Sequence, residues 1–173
     1  MEAQSPLNVR PATAGDIPAL LDLERQCPTV AHWSQQQYED LFPTAVARSR
    51  RVVLVVDETA DRSPNNSKPA EFCLLGFLIA HHISPDWELE NIVIAPTSRR
   101  KGLATHLLSA LLYRARETNS ESVFLEVRES NQAARALYTS LGFQESGRRK
   151  LYYAHPPEDA VLYRLALAQP SSQ

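Results

Sequence analysis

Long apolar runs separated by polar turns dominate the middle of the chain. The first, residues 51–57 (RVVLVVD), is continuous and rich in β-branched side chains, which predicts a strand covered on both faces. Two further apolar runs follow at 71–84 and 87–96, and Pro96 ends the second of them. Three such strands in succession, joined by turns, favour an antiparallel meander.

Helical periodicity appears on either side of these runs. After Gly102, apolar residues recur about every four positions as far as Ala115, which predicts an amphipathic helix. A second helix is predicted within 130–143, with Gly142 where a left-handed C-terminal cap belongs. Two shorter helices near the start of the chain begin at residue pairs with capping-box spacing: Thr13 with Asp16, and Ser34 with Gln37.

The remaining strands complete a fold prediction. A short strand is expected at 7–10, another at 122–128, and two closing strands at 148–155 and 160–167 around the polar turn PPED. The strand–helix–strand unit around Gly102 needs a parallel crossover, whereas the meander needs antiparallel pairs. We therefore predict an α/β (α+β) fold whose mixed, mostly antiparallel central sheet of about seven strands carries helices on both faces.

Length and composition limit the possible functions. The chain of 173 residues, 43% apolar and 22% charged with a net charge of −2, suits a single globular domain over 1–173. The polar segment 58–69 is expected to be a flexible loop and 168–173 a frayed tail. The low net charge gives no overall electrostatic reason to bind nucleic acid or an anionic membrane. We expect a monomer or weak dimer.

Other features point to an intracellular protein without a metal. Cys27 and Cys73 form no CxxC pattern, so reduced thiols and a cytoplasmic location are expected. The N-terminus lacks the layout of a signal peptide, and no apolar run has the length of a membrane span. His81 and His82 alternate across a strand and cannot share one ion, so no metal site is expected.

One basic turn precedes the most strongly patterned helix. The segment 98–108 (SRRKGLATHLL) places Arg100, Lys101 and Gly102 directly before it. Unpaired N–H groups at a helix N-terminus, with glycine allowing close approach, suit a phosphate or pyrophosphate. Neither a P-loop ending nor a GxGxxG motif is present. An ordinary solvated basic turn would have the same sequence, so the pattern alone leaves both interpretations open.

The same residues carry a family resemblance. The run RRKGLA from Arg99 to Ala104 fits the Q/R-x-x-G-x-G/A signature of the GNAT acetyltransferases. Segments 125–143 (LEVRESNQAARALYTSLGF) and 148–167 resemble the RimI-type N-terminal acetyltransferases, which acetylate the N-terminal alanine of a small-subunit ribosomal protein. The resemblance covers about 87–167 and is looser upstream. Ala104 replaces the more usual last glycine, and the 58–69 loop is longer than usual.

The resemblance implies acetyl-CoA as the cofactor, with coenzyme A as the product. The backbone of one strand would hold the pantetheine arm, the turn and helix start would hold the pyrophosphate, and an asparagine would contact the cofactor. Asn131 also suits a plain N-cap, and the strand side chains also suit a core. The implied cofactor-binding residues are Ile92, Val93, Ile94, Arg99, Arg100, Lys101, Gly102, Leu103, Ala104, Thr105 and Asn131.

The resemblance also implies the residues of the chemistry. Glu126 would be the general base, acting through a water, and Tyr138 would donate a proton to the departing sulfur. From pattern alone, Glu126 would be a solvent-facing or ion-paired strand glutamate and Tyr138 a core tyrosine. Tyr152 and Tyr153 would hold the acceptor peptide, and Trp33, with His32, would line the other wall of the acceptor groove.

The expected enzyme is an N-acetyltransferase that acts on a protein N-terminus. At pH 7 an α-amine with a pKa of about 8 is roughly one-tenth neutral, against fewer than about one lysine in a thousand. A glutamate base therefore suits a chain N-terminus, here the N-terminal alanine of a ribosomal protein. Two alternatives stay open: a related acetyltransferase for a small amine or a lysine, and a non-catalytic acetyl-CoA-binding module.

Overall fold

The computed structural model describes residues 7–27, 33–42, 50–59 and 72–168. Thr59 and Phe72 are described for their backbone only. His32, nearly all of the predicted 58–69 loop and most of the 168–173 tail therefore lie outside the described residues. Glu58 and Thr59, placed in that loop by the sequence, belong to the strand before it.

The order of elements agrees with the prediction. Short 3-10 turns at Ala14–Asp16 and Pro96–Ser98 precede α1 and α3. The helices are α1 (Ile17–Arg25), α2 (Gln35–Glu39), α3 (Leu103–Glu117) and α4 (Gln132–Ser140). The strands are β1 (Leu7–Pro11), β2 (Arg51–Thr59), β3 (Phe72–Ile83), β4 (Asp86–Ile94), β5 (Ser122–Arg128), β6 (Gln144–Ala154) and β7 (Pro157–Ala166).

The seven strands form one mixed sheet in the order β1-β2-β3-β4-β5-β7-β6. Strands β2, β3 and β4 are consecutive neighbours, as the meander prediction requires. β4 pairs with β5 in parallel, because helix α3 carries the chain back between them. The pairs β1–β2, β5–β7 and β6–β7 are antiparallel.

Contacts group the chain into two compact units, and the first comprises Met1–Ile79 with Asn91–Ala110. Its apolar core takes Leu20 and Leu23 from α1, Tyr38 from α2 and Val55 from β2, with Phe77 from β3. Residues 53–57 of β2 are all buried, which confirms the expectation of a strand covered on both faces.

Both predicted capping boxes are present in this first unit. The Thr13 N–H donates to Asp16 Oδ2 at 2.7 Å, and the Ser34 N–H donates to Gln37 Oε1 at 2.8 Å. In the second box the Gln37 N–H also donates to Ser34 Oγ at 3.3 Å. Each box satisfies N–H groups that the helix start leaves without an intrahelical partner.

The second unit comprises Ala80–Glu90 with Leu111–Gln173. In β5 the residues Val123, Leu125 and Val127 are buried, while the alternating positions between them are half-buried. Gly142 follows α4 with a φ of 90°, which confirms the predicted left-handed cap. None of the helices in the described ranges of either unit combines the length and apolarity that a bilayer crossing requires.

The end of the chain departs from the sequence prediction. β6 begins at Gln144, earlier than expected, and β7 begins at Pro157, inside the predicted PPED turn. The ladder between them is irregular between Arg149 and Tyr153, where Leu151 has a φ of 49°. This irregularity lies among the residues expected to hold the acceptor.

Candidate active site

The turn before α3 has the backbone geometry of an anion-binding loop. Arg100 and Gly102 both have left-handed conformations, with φ values of 63° and 78°. A Cβ on Gly102 would meet nothing closer than His106 at 3.9 Å, so glycine serves here for its φ and not for space. Arg100, Lys101 and Gly102 are exposed, and a ligand can therefore approach them.

The first turn of α3 offers backbone donors beside this loop. The His106 N–H is bonded to the Gly102 carbonyl oxygen at 3.1 Å. The N–H groups of Leu103, Ala104 and Thr105 precede that bond and have no acceptor within the helix. Their orientation and the helix dipole both favour an anion. The predicted pyrophosphate residues therefore form one continuous segment with matching chemistry.

Arg99 differs from the other two cations of the turn. Its Nε donates to the Ile94 carbonyl oxygen at 3.4 Å, and its Nη2 lies 3.3 Å from Cys27 Sγ. The side chain therefore ties the turn to the end of β4 and to the residues after α1. Its backbone remains a predicted cofactor contact, whereas the mobile positive charge comes from Arg100 and Lys101.

The end of β4 carries the segment expected to hold the pantetheine arm. Val93 is 1% exposed, so its side chain belongs to the core, and Ile92 and Ile94 are half-buried. The parallel ladder of β4 with β5 ends at the pair Leu89↔Leu125, before these residues. Backbone groups of Ile92, Val93 and Ile94 can bind the pantetheine arm only if they do not pair with β5, and the end of the ladder agrees with that requirement. A Cβ on Gly76 of β3 would lie 2.8 Å from the Val93 oxygen, so glycine permits a close approach here.

Trp33 is held in the first unit by a buried carboxylate that sequence reasoning missed. Glu24 is 2% exposed, and its Oε2 accepts the Trp33 N–H at 3.0 Å. Its Oε1 accepts the Tyr38 hydroxyl at 3.0 Å and the Asn91 side-chain amide at 3.3 Å. Burial, together with this carboxylate, raises the pKa of Tyr38 well above its usual value. The sequence does hold a sign of this buried carboxylate, because Glu24 lies one helical turn after Leu20, on the apolar face of α1.

Glu126 lies on β5 in the second unit. It shares the half-buried face of the strand with Phe124 and Arg128, as predicted, and its side chain is 17% exposed. Arg149 Nη2 lies 3.1 Å from Glu126 Oε1, and Tyr152 lies near the same carboxylate. The Glu126 carboxylate is the main reason that the pKa of Tyr152 is raised. The ion-paired interpretation that the sequence left open is therefore correct for this state of the protein.

Tyr138 is a buried phenol on α4. It is 4% exposed, and its ring centroid lies 5.9 Å from that of Phe143 and 6.1 Å from that of Tyr163. Burial raises its pKa well above the usual value, and the neighbouring Tyr153 adds to the effect. The side chain is a core tyrosine, as the pattern suggests, and it keeps its proton far above neutral pH.

The remaining predicted residues of the second unit are also placed. Asn131 is the N-cap of α4, with Oδ1 accepting the Ala134 N–H at 3.2 Å, and its cofactor contact remains a prediction. The rings of Tyr152 and Tyr153 meet edge to face at 5.2 Å. Arg128 Cζ lies 4.1 Å from the Tyr153 centroid and pairs with Glu158 at 3.2 Å. Burial raises the pKa of Tyr153.

The two histidines of β3 point to different surroundings, as their alternation predicts. His82 stacks on Trp87 at 4.9 Å, whereas His81 Nδ1 lies 3.9 Å from Glu90 Oε1. Within the described residues, potential ligand atoms of His81, Glu88 and Glu90 lie within 4.8 Å of one another. A divalent cation could be bound at that spacing. The expectation that the protein has no metal site therefore stays a prediction.

A family model, the Acetyltransferase (GNAT) family, matches residues 17–143. The chain is 40% identical over 92 residues to the ribosomal protein bS18-alanine N-acetyltransferase of Haemophilus influenzae, covering 51% of this chain and 62% of that protein. It is 36% identical over 110 residues to the Salmonella typhimurium protein of the same name, covering 62% and 74% of the two chains. The first of these matches thus spans less than two thirds of the relative.

Solved structures have the same fold. The crystal structure of the Escherichia coli ribosomal-protein-S18-alanine N-acetyltransferase superposes with a TM-score of 0.76 at 25% identity, covering 97% of this chain and 99% of that one. Arabidopsis thaliana NAA60 in complex with acetyl-CoA gives a TM-score of 0.76 at 16% identity over 94% of this chain and 99% of that one, a likeness of fold alone. Given this fold and the match over residues 17–143, the chain belongs to the GNAT family of acetyltransferases, whose cofactor is acetyl-CoA.

Proposed function

We propose that this protein transfers the acetyl group of acetyl-CoA to the α-amine of the N-terminal alanine of a small-subunit ribosomal protein. The observation that carries the proposal is the Glu126 carboxylate, which pairs with the Arg149 guanidinium and lies near the Tyr152 phenol. A carboxylate with those partners is suited to an acceptor that brings an ammonium group and peptide N–H groups. The relatives that bear this activity in their names support the choice of acceptor.

The cofactor fits the residues that are present. The positive φ of Gly102 suits a pyrophosphate, as do the N–H groups at the start of α3, which have no acceptor within the helix, and Arg100 and Lys101 add charge beside them. Val93 and its neighbours on β4 would hold the pantetheine arm through their backbone. When bound, acetyl-CoA supplies an acetyl thioester that an uncharged amine can attack.

The acid and base of the reaction come from the second unit. In our proposal the Glu126 carboxylate, through a water, accepts the proton that the acceptor ammonium must lose before its nitrogen can attack. Arg149 and Tyr152 give up the carboxylate as the acceptor arrives. Tyr138, which keeps its proton at neutral pH, would give that proton to the departing sulfur and regain one from the nitrogen, which loses a second proton on becoming an amide. The exposed edge of Tyr152, with Tyr153 beside it, would bind the acceptor backbone. In the first unit, Trp33 remains a predicted acceptor residue.

A panel of acceptors tests this proposal. The purified protein is incubated with acetyl-CoA and a peptide that begins with alanine, the same peptide with a blocked α-amine and a free lysine, or spermidine. Thiol release and the mass of each product are measured at neutral pH. We expect the free N-terminal peptide to be preferred by more than about tenfold, reflecting its larger neutral fraction. Faster acetylation of spermidine or lysine, or acetyl-CoA binding without any turnover, would contradict the proposal.

A ribosomal acceptor also implies where the protein acts. We propose a cytoplasmic enzyme whose partner is a protein N-terminus, with no direct contact to nucleic acid. The net charge of −2 agrees with this, since nucleic-acid binding depends on a concentration of positive charge. Mass spectrometry of ribosomal proteins from cells with and without the gene would show whether one N-terminus loses its acetyl group.

A further inference from the structure

A bulge in β6 lies opposite a single residue of β7. The ladder pairs Arg149 with Ala160 and resumes with Tyr153 opposite Glu158. Between these pairs, β6 contributes Lys150, Leu151 and Tyr152, whereas β7 contributes only Asp159. The extra residues make this a bulge wider than the usual single insertion.

Leu151 is the residue whose backbone makes the bulge possible. Its φ of 49° is a left-handed conformation that branched side chains rarely adopt. The side chain is 72% exposed, so apolar burial cannot be what holds the backbone there. The Leu151 N–H donates instead to Asp159 Oδ1 at 2.8 Å. Asp159 is itself anchored, because its carbonyl oxygen accepts the Glu129 N–H at 3.1 Å.

The bulge decides which way two side chains point. In a regular strand, residues three apart such as Arg149 and Tyr152 face opposite sides of the sheet. Here both lie beside Glu126: Arg149 Nη2 lies 3.1 Å from Oε1, and the Tyr152 hydroxyl is near enough to the same carboxylate for its pKa to be raised. The two also contact each other, with Arg149 Cζ 5.4 Å from the centre of the Tyr152 ring.

We propose that Asp159 is a positioning residue, whose bond to the Leu151 N–H holds the bulge that turns Arg149 and Tyr152 together toward Glu126. The proposal rests on the proposed function, in which Glu126 is the base and Tyr152 binds the acceptor. Asp159 itself touches no reacting atom. It orients Glu126 and its partners through the backbone of β6 before the acceptor arrives.

Three variants distinguish a positioning role of Asp159 from a general contribution to the stability of the fold. Asp159→Ala removes the acceptor of the Leu151 N–H, and we expect kcat/KM for the alanine peptide to fall about 10- to 100-fold, the scale of a displaced reacting group. Asp159→Asn keeps an oxygen in place and should lose less than about threefold. The double variant Leu151→Gly with Asp159→Ala should regain more than about fivefold over Asp159→Ala, because glycine adopts a positive φ without strain. Acetyl-CoA affinity should stay within about twofold throughout.

Asp22→Ala is the matched control, since it removes an exposed aspartate of α1 that pairs with the neighbouring Arg25. A thermal melt of every variant identifies unfolding, and if Asp159→Ala does not fold, the asparagine and double variants decide. Activity of Asp159→Ala equal to that of the parent would overturn the proposal. So would failure of the folded double variant to recover, since Asp159 would then act by some other route.

A measurement without turnover keeps this proposal distinct from the proposed function. Tyr152 can be followed by NMR in protein with ¹³C-labelled tyrosine rings, assigned with Tyr152→Phe. Its pKa is raised chiefly by the nearby Glu126 carboxylate, so this pKa should fall toward the usual value in Asp159→Ala and rise again in the double variant. An unchanged titration in folded Asp159→Ala would overturn the positioning role. A parent enzyme inactive on every peptide would instead contradict only the proposed function.

Discussion

At Glu126 a carboxylate, a guanidinium and a phenol are in contact, and their relative strengths set what the carboxylate can do. Arg149 is 56% exposed, so its ion pair with Glu126 is largely solvated. Pairs of that kind contribute about 1 kcal/mol or less. An arriving ammonium group can therefore replace Arg149 at little cost. The ion pair holds the carboxylate in place without blocking it.

Glu126→Gln tests the base directly. The amide keeps the shape of the side chain but cannot accept a proton, so we expect kcat to fall about 100- to 10,000-fold. Acetyl-CoA affinity, measured by calorimetry, should stay within about twofold, because Glu126 is not among the predicted cofactor-binding residues. Glu129→Gln is the control, since Glu129 is a neighbouring exposed glutamate paired with Arg148. Equal kcat for Glu126→Gln and the parent would remove the base assignment.

Tyr138→Phe separates the proton donor from the core residue. Phenylalanine keeps the ring contacts with Phe143 and Tyr163 and loses only the hydroxyl. If Tyr138 donates to the departing sulfur, kcat should fall about 100-fold or more while the protein still melts as one cooperative unit. Tyr113→Phe, an exposed tyrosine of α3, should leave kcat unchanged. A parent-like kcat for Tyr138→Phe would leave Tyr138 with a packing role only.

Site residues that stand in a sequence motif could be predicted, whereas residues whose role depends on a contact with another part of the chain could not. Glu126 and Tyr138 stand in recognisable segments, and both occupy the strand face or helix predicted for them. Glu24 and Asp159 were missed because their partners are distant in sequence or depend on an irregular ladder. No local pattern encodes a hydrogen bond across 67 residues, such as that between Glu24 and Asn91.

At the scale of elements, the turn before α3 depends on one glycine. Gly102→Ala places a side chain at a φ of 78°, which costs about 1–2 kcal/mol of folding free energy. The melting temperature should fall by about 2–8 °C. The strained turn should relax and move its N–H groups, so acetyl-CoA should bind about tenfold more weakly by calorimetry, equivalent to about 1.4 kcal/mol.

Gly142→Ala supplies a matched control for that change. Gly142 has a φ of 90° and, like Gly102, would place its new Cβ no closer than ordinary van der Waals contact. The stability loss should be similar, but Gly142 follows α4 and belongs to no predicted cofactor segment. Acetyl-CoA affinity should therefore be retained. Equal weakening of acetyl-CoA binding in both variants would show that the effect of Gly102→Ala is one of global stability.

The type of a helix or strand could be predicted from the sequence where its apolar residues follow one clear pattern. The β-branched run of β2 and the four-residue repeat of α3 both became the expected structures, with the buried positions of α3 following the predicted stripe. The β6 bulge was not predictable, because RRKLYY has neither period and its shape depends on a carboxylate from β7. The true turn is also shorter than PPED, since Ala154 already pairs with Pro157.

For the whole molecule, the predicted site residues are distributed over both units. The turn 99–105 and the end of β4 belong to the first unit, whereas Glu126, Tyr138 and the β6 tyrosines belong to the second. Each unit has its own buried tyrosine with a raised pKa: Tyr38 in the first and Tyr138 in the second. Both phenols keep their protons in the folded protein. The free energy of unfolding of the whole chain therefore depends on pH in the alkaline range.

The sign of that linkage follows from the protons that each state binds. Above a pH of about 10 an unfolded tyrosine loses its proton, while folded Tyr38 and Tyr138 retain theirs. The folded state then binds more protons, so the free energy of unfolding falls as pH rises through this window, by about 1.4 kcal/mol per pH unit for each phenol. Below it, neither phenol makes stability depend on pH.

Urea unfolding of the parent and Tyr138→Phe, at a pH of about 9 and again at about 11, measures this contribution from one phenol. The parent should lose about 1.4 kcal/mol more than the variant over that interval, since phenylalanine has no proton to retain. Lysines and arginines titrate alike in both proteins, so their effects cancel in the difference. Tyr113→Phe, which changes an exposed tyrosine, is the control and should follow the parent. A Tyr138→Phe difference that stays constant with pH would mean that water reaches the Tyr138 hydroxyl and that burial does not raise its pKa.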